Sequence, residues 1–198
     1  MKKLALVSIL AFSSLLAATA HAESSFVTGS GSAAADLKFK VIIPRVLFLG
    51  VGSGAGALTS TASKDTLTFD YTTNASAVGT AGTAAGSITN DGGFTGSVVP
   101  VKVFGNGGQI TLTTTNVANL VNTATPADTI PFTQITATSS LPAGLPVPGL
   151  GGGTSQPALT AGTKVTNQTA TWTFAYANAT TPAAGTYSGT VTYTASMP

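Results

Sequence analysis

Of 198 residues only 7 % are charged, with eight Lys and Arg set against six Asp and Glu, where soluble domains carry about 25 %. That composition supplies neither the clustered cations that bind nucleic acid nor the Glu/Lys surface of a helical bundle. It holds no cysteine, so a disulfide framework is excluded and the fold rests on its core, which the length allows, since a domain of about 150 residues buries roughly 70 % of its unfolded surface.

The chain opens with a basic Met1-Lys2-Lys3, an apolar run from Leu4 to Leu16 and the small residues Ala20-His21-Ala22. That order predicts a bacterial secretory signal peptide over 1–22, cleaved after Ala22. The apolar run is too short for a membrane-spanning helix. Cleavage removes Lys2, Lys3 and the one histidine. Six basic side chains then balance six acidic ones, so the mature chain is formally neutral. It carries no polybasic membrane patch and no predicted transmembrane segment.

Residues 23–36 are small and polar, with Phe26 and Val27 as the only apolar anchors. This reads as a flexible arm preceding a domain over 37–198. In Leu37–Ile43, Leu37, Phe39, Val41 and Ile43 alternate with polar or less central residues, which predicts a strand ended by Pro44. Val46–Val51 is a second apolar run. Gly52, Gly54 and Ala57 loosely fit a dinucleotide-binding turn, but Leu58–Ser63 is not the helix that motif requires. Thr66–Thr73 predicts a strand with Leu67, Phe69 and Tyr71 inward and Asp70 outward. Asn90-Asp91-Gly92-Gly93 is a turn; one carboxylate there falls short of a calcium site.

Val98–Phe104, with Val99, Val101 and Val103 on one face, and Gln109–Thr115, with Ile110 and Leu112, predict a hairpin through Gly105–Gly108. Pro100 assigns the first of these to an edge or a bulge. Ile130–Thr138 is a further strand. Leu141–Pro157 is a Pro/Gly-rich loop whose Leu141, Leu145, Val147 and Leu150 either fold back or line a surface contact. In the last stretch Trp172, Phe174 and Tyr176 alternate with small residues, as do Tyr187, Val191 and Tyr193 beyond Thr181–Gly185. This predicts a second hairpin and places those six side chains in the core. The expected fold is all-β: an immunoglobulin-like Greek-key β-sandwich of about eight or nine strands, with a closed barrel as the alternative.

The mature chain would lack both His and Cys, so no Ser-His-Asp or Cys-His arrangement and no ordinary zinc or copper site is expected. Its carboxylates are scattered, which disfavours a glycosidase pair. No enzyme activity and no cofactor are expected. Trp172 reads as core, with a ligand platform as the sharper alternative. The triplets at Asn74, Asn167 and Asn178 match the glycosylation pattern, as chance allows in a Thr-rich chain.

Trp172-Thr173-Phe174 and Ala184-Gly185-Thr186-Tyr187-Ser188-Gly189-Thr190-Val191-Thr192-Tyr193 resemble the closing strands of bacterial surface β-sandwich proteins. These are the chaperone–usher fimbrial subunits, the spore-coat-U-like proteins and the WxL wall-binding domains. The likeness covers roughly the last 30 residues. Gly185 holds the place of a glycine fourteenth from the fimbrial C-terminus, whereas Met197 replaces the penultimate tyrosine and the usual disulfide is missing. Phe174 stands where a WxL domain has Leu. The resemblance implies an exported structural or adhesive subunit of a cell-surface fibre, fimbria or biofilm matrix, self-associating or joined to other subunits with a periplasmic chaperone's help. Such subunits complete one another's sheets by β-augmentation. The donated strand would be either the arm over 23–36 or Leu37–Ile43, with the contact on Phe26, Val27, Leu37, Phe39, Val41 and Ile43. The alternatives are a stand-alone carbohydrate- or cell-wall-binding module and, on the Thr-x-Thr runs, an ice-binding surface.

Overall fold

A computed structural model describes residues 24–115 and 118–198. The expected leader and its cleavage site lie outside the described residues. The chain divides into two units at Ile43 and Pro44. In the first, residues 24–43 form neither strand nor helix, and every side chain is exposed. The strand predicted at Leu37–Ile43 is therefore not formed, and the compact domain begins at Pro44 rather than at residue 37. Alternation prescribes a face to bury, but a strand also needs a partner backbone, and among the described residues of its own unit this segment has none.

The second unit is all-β, apart from short 3-10 turns at Gly52–Gly56, Thr72–Ala77 and Phe132–Gln134. Among the described residues its strands are β1 (Leu47–Val51), β2 (Leu67–Asp70), β3 (Ser87–Asn90), β4 (Val98–Gly105), β5 (Thr111–Thr115), β6 (Leu120–Asn122), β7 (Thr129–Ile130), β8 (Ile135–Ser139), β9 (Thr154–Ser155), β10 (Thr166–Tyr176), β11 (Tyr187–Ser188) and β12 (Thr192–Ser196). They exceed the expected eight or nine because several are two- or three-residue bridges with no periodicity to read. All pairing is antiparallel, in four sheets ordered β1-β4-β10-β8, β12-β5-β9, β11-β6-β7 and β2-β3.

The core lies between the first two sheets. Val99, Val101 and Val103 of β4 and Ala170, Trp172 and Phe174 of β10 meet Ile110 and Leu112 of the β5 layer. Leu145 and Leu150 close it from the Pro/Gly loop. That loop thus folds back onto the body and leaves Leu141 exposed. Trp172 is fully buried, donates its indole N–H to the Leu145 carbonyl at 3.2 Å and packs against Tyr193 with ring centroids 5.3 Å apart.

Neither predicted hairpin forms. β4 pairs with β1 and β10, while β5 pairs with β12 and β9. Gly105–Gly108 therefore carries the chain from one sheet to the other. Likewise β10 and β12 face each other through Trp172 and Tyr193 instead of pairing side by side. Alternation shows only that each strand has one buried face, and it reads alike for neighbours within a sheet and for partners across a core.

Pro100 does not mark an edge, since β4 is interior. Opposite it, Thr171 directs its N–H to the Ser140 hydroxyl (2.9 Å) and its C=O to the Ser140 N–H (2.9 Å), away from β4. Pro100–Thr171 is thus a non-hydrogen-bonded pair. The donor that proline lacks would point to the β1 side, where the ladder has already ended at Val51–Val101.

Candidate functional site

Residues 37–43 present a row of apolar side chains. Leu37, Phe39, Val41 and Ile43 are each at least three-quarters exposed, as is Ile42. Lys38 and Lys40 occupy the alternate positions. Soluble proteins rarely display a contiguous apolar surface without using it. Phe26 and Val27, nearer the start of the unit, are exposed as well.

In the second unit, β1 and β12 stand at the ends of their sheets and touch each other across the core. Among the described residues neither has a strand partner on its outer side. Register shows which side chains point inward. Leu47, Leu49 and Val51 lie opposite Gly105, Val103 and Val101, while Tyr193 and Ala195 lie opposite Thr114 and Leu112. The inner neighbours Val101, Val103 and Leu112 are fully buried. Leu49, Val51, Tyr193, Ala195 and Met197 are only partly so, and Leu47 is exposed. The core therefore opens along a seam bounded by two unpaired strand edges, and this is the arrangement that invites another strand. Burial still raises the Tyr193 hydroxyl's pKa above its ordinary value.

The root of the exposed segment is held by Asn106, in the turn after β4. Its amide oxygen accepts the Val46 N–H at 2.8 Å, its amide nitrogen donates to the Pro44 carbonyl at 2.8 Å, and its backbone N–H reaches the Val46 carbonyl at 3.3 Å. The Arg45 guanidinium and the Met197 sulfur both lie against Gly107. The start of β1 and the end of β12 thus come together at this turn.

Other polar features serve structure. Asp65 accepts the Ser53 N–H (2.5 Å) and hydroxyl (2.8 Å), and Asp91 accepts the Thr66 N–H (2.5 Å). That last bond holds the Asp91 carboxyl below its ordinary pKa, and the Thr72 hydroxyl does the same for Asp70. Among the described residues no three metal-ligating side chains gather. An open groove of about 400 Å³ beside β8, lined by Ile135, Ala137, Val147, Pro148 and Leu150 among others, contains no ionisable group.

Of the six side chains expected in the core, Trp172 and Phe174 lie in it and Val191 and Tyr193 flank it. Tyr176 instead meets Tyr71 edge-on, with centroids 6.0 Å apart. Tyr187 lies in the small β11-β6-β7 sheet, outside the core, with its hydroxyl on the Ala183 carbonyl at 2.8 Å. Gly185 is needed where it stands: its φ is +157°, and a Cβ there would run into the buried Asn122 carboxamide.

Two residues escaped the sequence reading. One is Asn106. The other is Asn178, fully buried at φ +51°. Its side chain donates to the Ala77 carbonyl (2.6 Å), the Thr80 carbonyl (3.2 Å) and the Thr83 hydroxyl (2.9 Å) and accepts the Gly79 N–H (2.7 Å). An Asn-Ala-Thr triplet was its only signal, and that pointed to a modification site which burial closes.

No family model, curated protein or solved structure matches the chain.

Proposed function

We propose that this protein is a non-enzymatic, exported structural subunit of a bacterial surface fibre or biofilm matrix, built by strand donation between copies. The observation that carries this reading is the exposed apolar row Leu37–Ile43 in a chain whose folded body has a half-open seam. The row supplies alternate side chains for the seam, and its backbone supplies the hydrogen bonds that two edge strands lack. Burying four such side chains yields about 6–12 kcal/mol. Association costs of about 4–15 kcal/mol offset most of that, so the ladder hydrogen bonds decide whether the joint holds. Passage through the periplasm with a chaperone over the seam, and display at the cell surface, belong to the same proposal.

A stand-alone carbohydrate- or wall-binding module is the weaker reading, because the one Trp is buried and offers no platform. The decisive experiment is light scattering and electron microscopy of the secreted chain, alone and with Phe39→Asp and Val41→Asp together. The native chain is expected to form linear multimers, and the double variant a monomer with an unchanged circular-dichroism spectrum. Multimers of undiminished size from the double variant would refute strand donation through this segment.

A further inference from the structure

Asn106 and Gly107 form the only Asn-Gly pair in the chain. In such a pair the glycine's main-chain nitrogen can attack the asparagine's side-chain carbon, because no side chain on the glycine shields that nitrogen. Four features of this turn favour the attack. Gly107 is partly exposed, so water reaches it. Among the described residues its N–H makes no hydrogen bond, whereas those of Asn106 and Gly108 on either side reach the Val46 and Lys164 carbonyls. The proton that must leave is therefore unheld. The Arg45 guanidinium stands against Gly107, where a Cβ would come within 2.9 Å of Nε, and a cation there favours the deprotonated nitrogen. Finally, the Asn106 amide oxygen accepts the Val46 N–H at 2.8 Å. That donor is aimed at the oxygen on which negative charge develops.

We propose that Asn106–Gly107 is a self-deamidation site, and that its conversion unclasps Pro44 from the turn after β4. The Gly107 nitrogen loses its proton and bonds to Asn106 Cγ. The Cγ–Nδ2 bond breaks, and the amide leaves as ammonia, taking up one proton in exchange. Water then opens the cyclic imide at either carbonyl, giving aspartate or isoaspartate.

Both products lack the donor of the clasp. Asn106 Nδ2 donates to the Pro44 carbonyl at 2.8 Å, and a carboxylate has only acceptors. An oxygen set against that carbonyl repels it, and the Arg45 guanidinium beside the turn offers the new charge another partner. Isoaspartate also adds a carbon to the main chain, which displaces Gly108 from the Lys164 carbonyl it reaches at 3.1 Å. Pro44, Arg45, Val46 and the turn all belong to the folded unit, so this release is independent of strand donation.

The test ages the full secreted chain in mildly alkaline buffer, folded and in urea, with conversion of Asn106 read by peptide mass and isoaspartyl content. Trypsin reads the clasp, since the bond after Arg45, the one arginine in the chain, lies within it. Asn106→Asp supplies the aspartyl product without ageing, and the aged chain decides the matter should that variant not fold. The folded chain is expected to convert Asn106 ahead of every other asparagine and at least as fast as the unfolded chain does. The aged chain and Asn106→Asp are expected to be cut after Arg45 severalfold faster than fresh chain. A folded chain that converts Asn106 more slowly than the unfolded one, or not at all, overturns the self-deamidation site, because the turn would then guard its asparagine. If Asn106 converts but neither product is cut faster than fresh chain, the release of Pro44 is refuted.

Discussion

Trp172 shows how much one side chain can hold. It is fully buried, touches both main sheets and satisfies its one polar atom on the Leu145 carbonyl. Trp172→Ala is expected to cost about 3–5 kcal/mol, measured by chemical denaturation. Asn178 holds by polar means. Removing its side chain orphans the Gly79 N–H, 99 residues away in sequence, and takes one of three donors from the Ala77 carbonyl, 101 residues away. Asn178→Ala is expected to lose about 2–3 kcal/mol, and in limited proteolysis the first new cut should fall within 77–83. Tyr193 brings a pH dependence. Its folded-state pKa lies above the ordinary 10.0, so above about pH 10 the unfolded chain releases this proton while the folded chain keeps it. The contribution is fully present below that pH and is lost as pH climbs toward the folded value. Denaturation midpoints should therefore fall from about pH 10 upward, and Tyr193→Phe should flatten part of that fall. Equal slopes in the two proteins would show that the ring ionises freely when folded.

At the scale of elements, the buried faces of the longer core strands were legible and their partners were not. Val99, Val101 and Val103, or Ile110 and Leu112, declare a buried face by alternation, and that face is where the residues lie. Pairing is set by backbone groups far apart in the chain, such as β10 reaching back to β4, and side-chain period carries no record of it. The glycine turn at 105–108 was visible, but a turn within a sheet and a crossing between sheets use the same residues. Gly185 is the exception. Its place near the end singled it out, and its conformation makes it irreplaceable: Gly185→Ala would press a methyl group onto Asn122, whose amide already serves the Ala124 N–H at 3.0 Å. A loss of about 1–3 kcal/mol is expected. It should appear as faster hydrogen exchange at Tyr187 and Ser188, where β11 meets β6, before the main core loosens.

For the whole molecule, composition alone indicated an all-β chain without disulfides. The candidate interface was half legible. Leu37, Phe39, Val41 and Ile43 stood out by period, yet the same period assigned them to the domain's first strand. The unpaired outer sides of β1 and β12 leave no sequence signal, because edges exist only after folding.

The bond between the indole of Trp172 and Leu145 has a practical outcome. As the only indole in the chain, it makes intrinsic fluorescence a readout of one address. Undocking of the proline-rich loop would shift its emission to the red, whereas a tyrosinate formed at Tyr193, 5.3 Å away, would quench it. Wavelength and intensity thus separate loosening of the loop from titration of the seam in a single unlabelled sample.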